Sequence, residues 1–393
     1  MDGSGAGRAG RRRTSPPQEK NRNPAKPGEG QMKMNELEEA RKIINQADEQ
    51  MADLFARRME AVRQIAAYKK EKGLPIRDPA REEALIARNR QRISDPETEG
   101  AYVGFMRNLM DVSCRYQETL ISGRKVAYSG IEGAFAHIAA RRLFPEAQFV
   151  GFNGFEQAYR SVESGECDCA VLPLENSHAG EVGTVMDLLF TGSLYINQVL
   201  DLPVRHGLMA CQEADLDSIR RVYSHSQALH QCERYLQNRG WETVECVNTA
   251  VAARQVREMN DPAAAAIASE ETAELYGLKL LEGRINDEAN NTTRFAVLSR
   301  SQNRPGRTGL RDNAGFILLF TVQNKAGALA QTLNIIGAHG YNMKNLRSRP
   351  MKDLQWNYYF YIEAEGNIAT ENGEMLMREL GAICARLKLV GIY

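Results

Sequence analysis

Between residues 35 and 70 the chain carries neither Pro nor Gly, and Leu37, Ala40, Ile44, Ala47, Met51, Leu54, Ala61, Ile65 and Tyr68 recur at spacings of three and four. That period predicts one long helix. At 1.5 Å per residue it runs roughly 50 Å, longer than a small domain is wide, so its apolar seam needs a partner along its whole length. Dimerisation supplies one. Gly73 and Pro75 end the helix, Asp78-Pro79 provides an N-cap and first-turn pair for a second helix to about residue 92, and Ser94-Asp95-Pro96 opens a third to about residue 122. With three helices and no strand, residues 34–123 are predicted to be an all-α domain.

After Gly123 the texture changes to short β-rich runs at 125–128, 170–174, 194–200, 204–211, 264–268 and 295–298, alternating with helical patterns. The alternation predicts an α/β domain over 124–301 with a largely parallel sheet. A polar stretch around Pro305, Gly306 and Gly309 reads as a linker over 302–313. Residues 314–393 follow the order strand (316–322), helix (326–339), strand (343–348), strand (358–364), helix (372–387), strand (389–392), the βαββαβ ferredoxin-like, α+β pattern.

Composition removes several alternatives. Residues 1–33 are rich in Gly, Pro, Arg and Lys, too poor in large apolar side chains to offset the entropy of ordering, and are expected to form a disordered basic tail. No apolar stretch follows Arg11-Arg12-Arg13, which argues against a secretory signal. The 50 Lys and Arg balance 50 Asp and Glu, against a nucleic-acid binder, and no run of about 18 apolar residues suits a membrane. Seven cysteines, an odd number scattered along the chain, read as free thiols of a cytoplasmic protein. Cys167-Asp168-Cys169 lacks the second ligand pair of a zinc site, so no metal is expected.

The helical seam is interrupted by charge. Arg58 stands where the spacing calls for an apolar residue, Lys69 lies about three turns on, and Ser113 and Gln117 occupy seam positions one turn apart on the third helix. Arg81 and Glu82 follow Asp78 on the second. For any one residue a solvated face or an internal ion pair is the ordinary reading. Cationic and hydrogen-bonding groups on the core side of all three helices point instead to a small polyanion. Arg41 lies seventeen residues from Arg58, about 25 Å along one helix, so if both hold the same ligand Arg41 comes from a second protomer.

Arg41, Arg58, Lys69, Asp78, Arg81, Glu82, Ser113 and Gln117 together resemble, in type and order, the active-site pattern of the helical chorismate mutases fused at the N-terminus of P-proteins. The resemblance implies that Arg41, Arg58 and Lys69 hold the carboxylates and ether oxygen of chorismate, with Glu82, Gln117, Ser113 and Asp78 completing the hydrogen bonds. A Claisen rearrangement suits such a site, because it needs only the compact conformer and positive charge beside the ether oxygen.

In the α/β region, Glu175-Asn176-Ser177, Ser224-His225-Ser226-Gln227 with Gln231, and Asn291-Thr292-Thr293-Arg294-Phe295 fall at predicted strand ends or turns, where open α/β sheets bind ligands. Helix capping is the ordinary alternative, above all for Ser226. Gly130-Ile131-Glu132-Gly133 has neither dinucleotide nor P-loop spacing. These clusters are similar to prephenate dehydratase motifs, including the "TRF" triplet at Thr293-Arg294-Phe295. The resemblance implies a two-lobed, periplasmic-binding-protein-like domain. In its cleft Thr293 would protonate the departing hydroxyl and Arg294 orient a substrate carboxylate, with Glu175, Asn176, Ser177, Ser224, His225, Gln227 and Asn291 also contacting prephenate. The chain has Ala134 and Ala136 where that family commonly carries Ser or Thr.

The C-terminal pattern resembles an ACT domain: Gly327-Ala328-Leu329 matches its "GAL" motif and Arg347-Ser348-Arg349-Pro350 stands in place of "ESRP". The resemblance implies phenylalanine as effector at these residues. The whole then reads as a cytoplasmic homodimer or homotetramer taking chorismate through prephenate to phenylpyruvate without a cofactor. A non-catalytic amino-acid-binding regulator, a mutase with a decayed dehydratase and a C-terminal domain serving only dimerisation are the competing readings.

Overall fold

The computed structural model describes residues 29–288, 290–302, 314–351 and 358–393. Residues 1–28 of the expected tail and 303–313 of the expected linker lie outside them. Two compact units emerge, one of residues up to Pro75 with Ala80–Ser113, the other of Ile76–Pro79 with Cys114–Tyr393.

The first three elements are the helices α1 (Glu29–Lys72), α2 (Pro79–Arg90) and α3 (Pro96–Ser122). α1 begins inside the stretch expected to be tail, because Pro27 is the last proline before Pro75 and nothing beyond it blocks a helix. The Asp95 carboxylate accepts from the Glu97 N–H at 3.1 Å and opens α3. Val62, Ala66, Ile86, Met106 and Met110 are buried within this unit. The first half of the α1 seam is not: Ile44 is 58% and Leu54 59% exposed.

The second unit contains two lobes. The first holds β1 (Lys125–Ser129), α4 (Phe135–Leu143), β2 (Gln148–Phe152), α5 (Phe155–Ser164), β3 (Cys169–Asn176), β4 (Gly180–Glu181), α6 (Gly183–Thr191) and β5 (Tyr195–Pro203). The chain then crosses to β6 (His206–Ala210), β7 (Arg221–Ser224), α7 (Ser226–His230), α8 (Glu233–Gln237), β8 (Glu242–Glu245), α9 (Thr249–Met259), β9 (Ala264–Ser269), α10 (Glu270–Tyr276) and β10 (Lys279–Glu282). It returns along β11 (Thr292–Ser299), which inserts between β3 and β5, antiparallel to both. The sheets of the two lobes are therefore mixed and not largely parallel: among the described strands from β1 to β11, β1 pairs in parallel with β2 and β3, and β7 with β8 and β9. The return strand and the pairing of β6 with β9 and β10 account for the difference.

A C-terminal module follows, with β12 (Gly315–Thr321), α11 (Ala328–Ala338), β13 (Asn342–Pro350), β14 (Tyr358–Glu365), α12 (Glu371–Ile383) and β15 (Arg386–Ile392). Its strand order β13-β14-β12-β15 is the ferredoxin-like arrangement expected from the pattern. α12 stops at Ile383 instead of continuing to 387, because Arg386 to Lys388 pair with β12. One sheet face, with Phe316, Leu318, Phe320 and Ile362, packs with Ile336, Leu376 and Leu380 of α11 and α12. The other, with Ile317, Leu319, Tyr359 and Tyr361, shares a core with Leu172, Leu188 and Leu298 of the first lobe. β15 also pairs with β5 through Gly391 and Ile196, making one continuous sheet.

Candidate active sites

In the helical unit, α1 and α3 bring Arg58 and Ser113 together. The guanidinium donates to the Ser113 hydroxyl and, at 3.5 Å, to the Leu109 carbonyl, while the hydroxyl donates to the same carbonyl at 2.7 Å. Ser113 is buried and Arg58 half-buried, so the cation enters the seam as its spacing predicts. Lys69 and Glu82 are half-buried; Arg41, Asp78 and Arg81 are exposed. Gln117, one turn beyond Ser113 on α3, is buried. Arg41 sits on the exposed half of α1, about 25 Å from Arg58 by helical rise.

The second site is a cleft of about 370 Å³ in the α/β unit. Asn176, Glu181, His206, His225, Gln227, Gln231, Asn248, Asn291 and Thr293 are among its polar groups, against Phe135, Phe155, Pro173, Val204 and Phe295. β3 and β11 place Asn176 directly opposite Thr293. The Asn176 amide donates to Thr293 Oγ1 at 2.9 Å and to Asn291 Oδ1 at 2.8 Å, and its own oxygen accepts from the His178 and Ala179 N–H groups. Asn291 is 3% exposed, and its Nδ2 has no hydrogen-bond partner among the described residues. The Nδ1 of His225 accepts from the Gln227 N–H at 3.3 Å, holding the start of α7.

Two cleft residues, His206 and Asn248, carry no signal in the sequence clusters. His206 opens β6, donates through Nε2 to Gln231 Oε1 at 3.0 Å, and is pushed down to about 4 by burial, so its ring is neutral. Asn248, at the start of α9, caps the Val251 N–H and lines the cleft. An apolar neighbourhood and a lone polar residue at the head of a strand gave His206 no pattern to be recognised by.

Four expected contacts do not reach the cleft. Side chains alternate along a strand, so Glu175 and Arg294, neighbours of Asn176 and Thr293, point to the opposite face. There Arg294 pairs with Asp201 at 2.8 Å and Glu363 at 2.9 Å, which hold it charged, and Glu175 pairs with Arg347. Ser177 accepts from the Thr292 N–H and donates to the Asn290 carbonyl, tying β3 to the approach of β11. Ser224 is fully buried and donates to the Ile267 carbonyl at 2.6 Å. In the C-terminal module Gly327 begins α11 at φ +82°, with Ala328 and Leu329 in the first turn. Along β13, Arg347 and Arg349 are half-buried on one face, and Ser348 and Pro350 exposed on the other.

Family models match residues 40–118 as chorismate mutase type II and 126–303 as prephenate dehydratase. The bifunctional chorismate mutase/prephenate dehydratase of Enterobacter agglomerans is 31% identical over 380 residues, spanning 91% of this chain and 96% of that protein. The chain belongs to this family. Membership makes it an enzyme of phenylalanine biosynthesis with an isomerase and a lyase in one polypeptide. Among solved structures, a prephenate dehydratase from Arthrobacter aurescens in complex with L-Phe is 26% identical, with TM-score 0.63 over 68% of this chain and 89% of that one. A structure described as a novel type of quorum-quenching acylase, GqqA, is 30% identical, with TM-score 0.63 over 69% of this chain and 97% of that one. Among the described residues no helix is long and apolar enough to cross a membrane.

Proposed function

We propose that the helical unit rearranges chorismate to prephenate around Arg58, and that the α/β cleft converts prephenate to phenylpyruvate, with Thr293 as proton donor. The observation that carries the second assignment is the Asn176 to Thr293 hydrogen bond in the cleft. With an N–H already aimed at Oγ1, the hydroxyl is free to turn its proton toward the departing hydroxyl of prephenate. The charge left on Oγ1 is then stabilised by a donor already in place. The leaving hydroxyl departs as water, the ring carboxylate as CO2, and the electrons of that C–C bond complete the aromatic ring.

Arg58 and Lys69 supply the positive charge of the mutase site, with Glu82, Gln117, Ser113, Asp78 and Arg81 as hydrogen-bonding partners. Arg41 is supplied by a second protomer, which also covers the exposed α1 seam, so the enzyme is at least a homodimer. In the dehydratase cleft Asn291, Gln227, Gln231 and His225 meet the substrate carboxylates in place of Arg294. The C-terminal module is an ACT domain that binds phenylalanine beside Gly327, a reading supported by its topology and by the L-Phe complex of the related dehydratase. The site of action is the cytoplasm.

A coupled assay tests the scheme. Chorismate should yield phenylpyruvate with the full chain, Thr293→Ala should halt the sequence at prephenate, and phenylalanine should slow the second step. Undiminished phenylpyruvate formation by Thr293→Ala would discard the proton-donor assignment.

A further inference from the structure

The dehydratase cleft has a back wall, and the C-terminal module grips it. β3 and β11 present Asn176 and Thr293 to the cleft and their strand neighbours Glu175 and Arg294 to the opposite face. Glu175 and Arg294 also stand directly opposite each other, yet their ion pairs run elsewhere. Glu175 takes the Arg347 guanidinium from β13, and Arg294 takes the Glu363 carboxylate from β14. The polarity is reversed between the two pairs, so each strand of the catalytic couple is held by its own counter-charge.

The geometry around these pairs is built. Arg294 Nη1 reaches both Glu363 oxygens, at 2.9 and 3.0 Å, while its Nε and Nη2 meet both oxygens of Asp201 at 2.8 and 3.2 Å. Glu363 is 5% exposed and accepts a further hydrogen bond from the Tyr393 hydroxyl. Beside Arg347, Arg349 binds Glu181 and reaches Asp187 at 3.2 Å, and Asp187 also accepts from the Tyr359 hydroxyl at 2.7 Å. Gly180, Glu181 and Val182 line the cleft, so this second arginine braces the same wall one step further along.

We infer that Arg347 and Glu363 are positioning residues of the dehydration step, acting from behind the sheet to fix Asn176 and Thr293 through Glu175 and Arg294. This rests on the reading of the cleft as the dehydratase site. The physical basis is that proton transfer tolerates little displacement: about 1 Å of misplacement can cost about a hundredfold in rate. Glu175, half-buried on the back face, loses its counter-charge when Arg347 is replaced, and Arg294 loses its buried partner when Glu363 is replaced, keeping Asp201 alone. Removing either grip lets one strand of the couple shift while its cleft residues remain chemically intact. It also gives Arg347, which stands where the family pattern has Glu, a defined task in this chain. A Glu at that position would face Glu175 with like charge.

The test is a reciprocal charge exchange on the full chain, assayed on added prephenate. Arg347→Glu should lower kcat about tenfold or more, with KM changed less than about twofold and chorismate mutase activity unchanged. Adding Glu175→Arg should bring kcat back to within about threefold of wild type, since the pair is re-formed with its polarity inverted. Arg347→Lys, which keeps the charge, should retain most turnover, and Glu363→Gln should lower kcat as Arg347→Glu does. If the double exchange stays as slow as the single, Glu175 serves some purpose other than this pair and the inference falls. It falls equally if Arg347→Glu raises KM and leaves kcat alone. A wild-type chain that rearranges chorismate but leaves prephenate unconsumed would instead overturn the reading of the cleft.

Discussion

Asn176 donates to Thr293 Oγ1 at 2.9 Å across the β3–β11 pair, and two backbone N–H groups hold the opposite end of the same amide. The amide has one orientation open to it: its oxygen must face His178 and Ala179, so its NH2 must face Thr293 and Asn291. A hydroxyl that accepts from a fixed donor through one lone pair keeps its own proton for another partner, and this hydroxyl lines a cleft of about 370 Å³. Under the proposed dehydratase reading, such preorganisation would let a weak acid give up a proton.

Asn176→Asp replaces that donor with a carboxylate oxygen at nearly the same place. Loss of one donor to a developing oxyanion typically costs about a hundredfold to a thousandfold in kcat. Prephenate turnover should fall by that order while mutase activity is retained. Because Asn176 works through Thr293, the Asn176→Ala, Thr293→Ala double variant should be no slower than Thr293→Ala alone. Additive losses in steady-state kinetics would show that the two residues act separately.

Arg58→Ala should abolish mutase activity and spare the dehydratase, since Arg58 bonds Ser113 and Leu109 within the helical unit. Arg41→Ala should do the same. About 25 Å of helix separates the two arginines, so a site using both draws them from different protomers. Mixing the two inactive variants under conditions of subunit exchange should restore part of the chorismate consumption, because a heterodimer contains one site with neither defect. Heterodimers that form and remain inactive would place both arginines elsewhere.

Burial lowers the His206 pKa to about 4 from the ordinary value of 6.5, outweighing the opposing hydrogen bond to Gln231. The folded state thus favours the neutral ring, and between pH 6.5 and 4 the unfolded chain binds the extra proton. The stability contributed by the neutral ring is fully present above pH 6.5 and is lost as pH falls toward 4, by up to about 3 kcal/mol. Denaturant unfolding of the wild type should show that loss, and His206→Gln should flatten it. An unchanged slope in the variant would mean that other groups govern acid stability.

Gly327 stands at φ +82°, where only glycine is unstrained, and begins α11 without a side-chain cap. Gly327→Val should raise the phenylalanine concentration required for inhibition severalfold, with uninhibited prephenate turnover nearly unchanged. Calorimetric titration separates binding from coupling: absence of binding heat in the wild type, together with absence of inhibition, would reduce this module to a structural one.

The helical seam, its interruption at Arg58, the βαββαβ order and the two motifs that carry Asn176 and Thr293 are all legible in the sequence, because each rests on a period or a compact motif. What the sequence does not reveal is which face a motif residue occupies. Glu175 and Asn176 are adjacent, as are Thr293 and Arg294, and a linear motif counts both members of each pair toward one site. The pleat sends them to opposite sides of the sheet. His206 is hidden for a related reason: it becomes a cleft residue only because the chain crosses lobes between β5 and β6, a topological fact with no local signature. The mixed sheet escapes notice likewise, since the insertion of β11 between β3 and β5 joins segments about 120 residues apart.

Gly391 pairs with Ile196 where β15 joins β5, and a Cβ at that position would lie 2.7 Å from both the Ile196 Cβ and its carbonyl oxygen. The absence of one methyl group is thus the hinge pin of a ten-stranded sheet. Because the strands of the C-terminal module and those of the first lobe form one sheet, deleting residues 314–393 would not leave the α/β unit intact. It would bare the edge of β5 and the face that Ile317, Leu319 and Tyr361 cover, which is the condition under which truncated β proteins aggregate. The part this module plays is therefore to be probed by point substitution and not by excision.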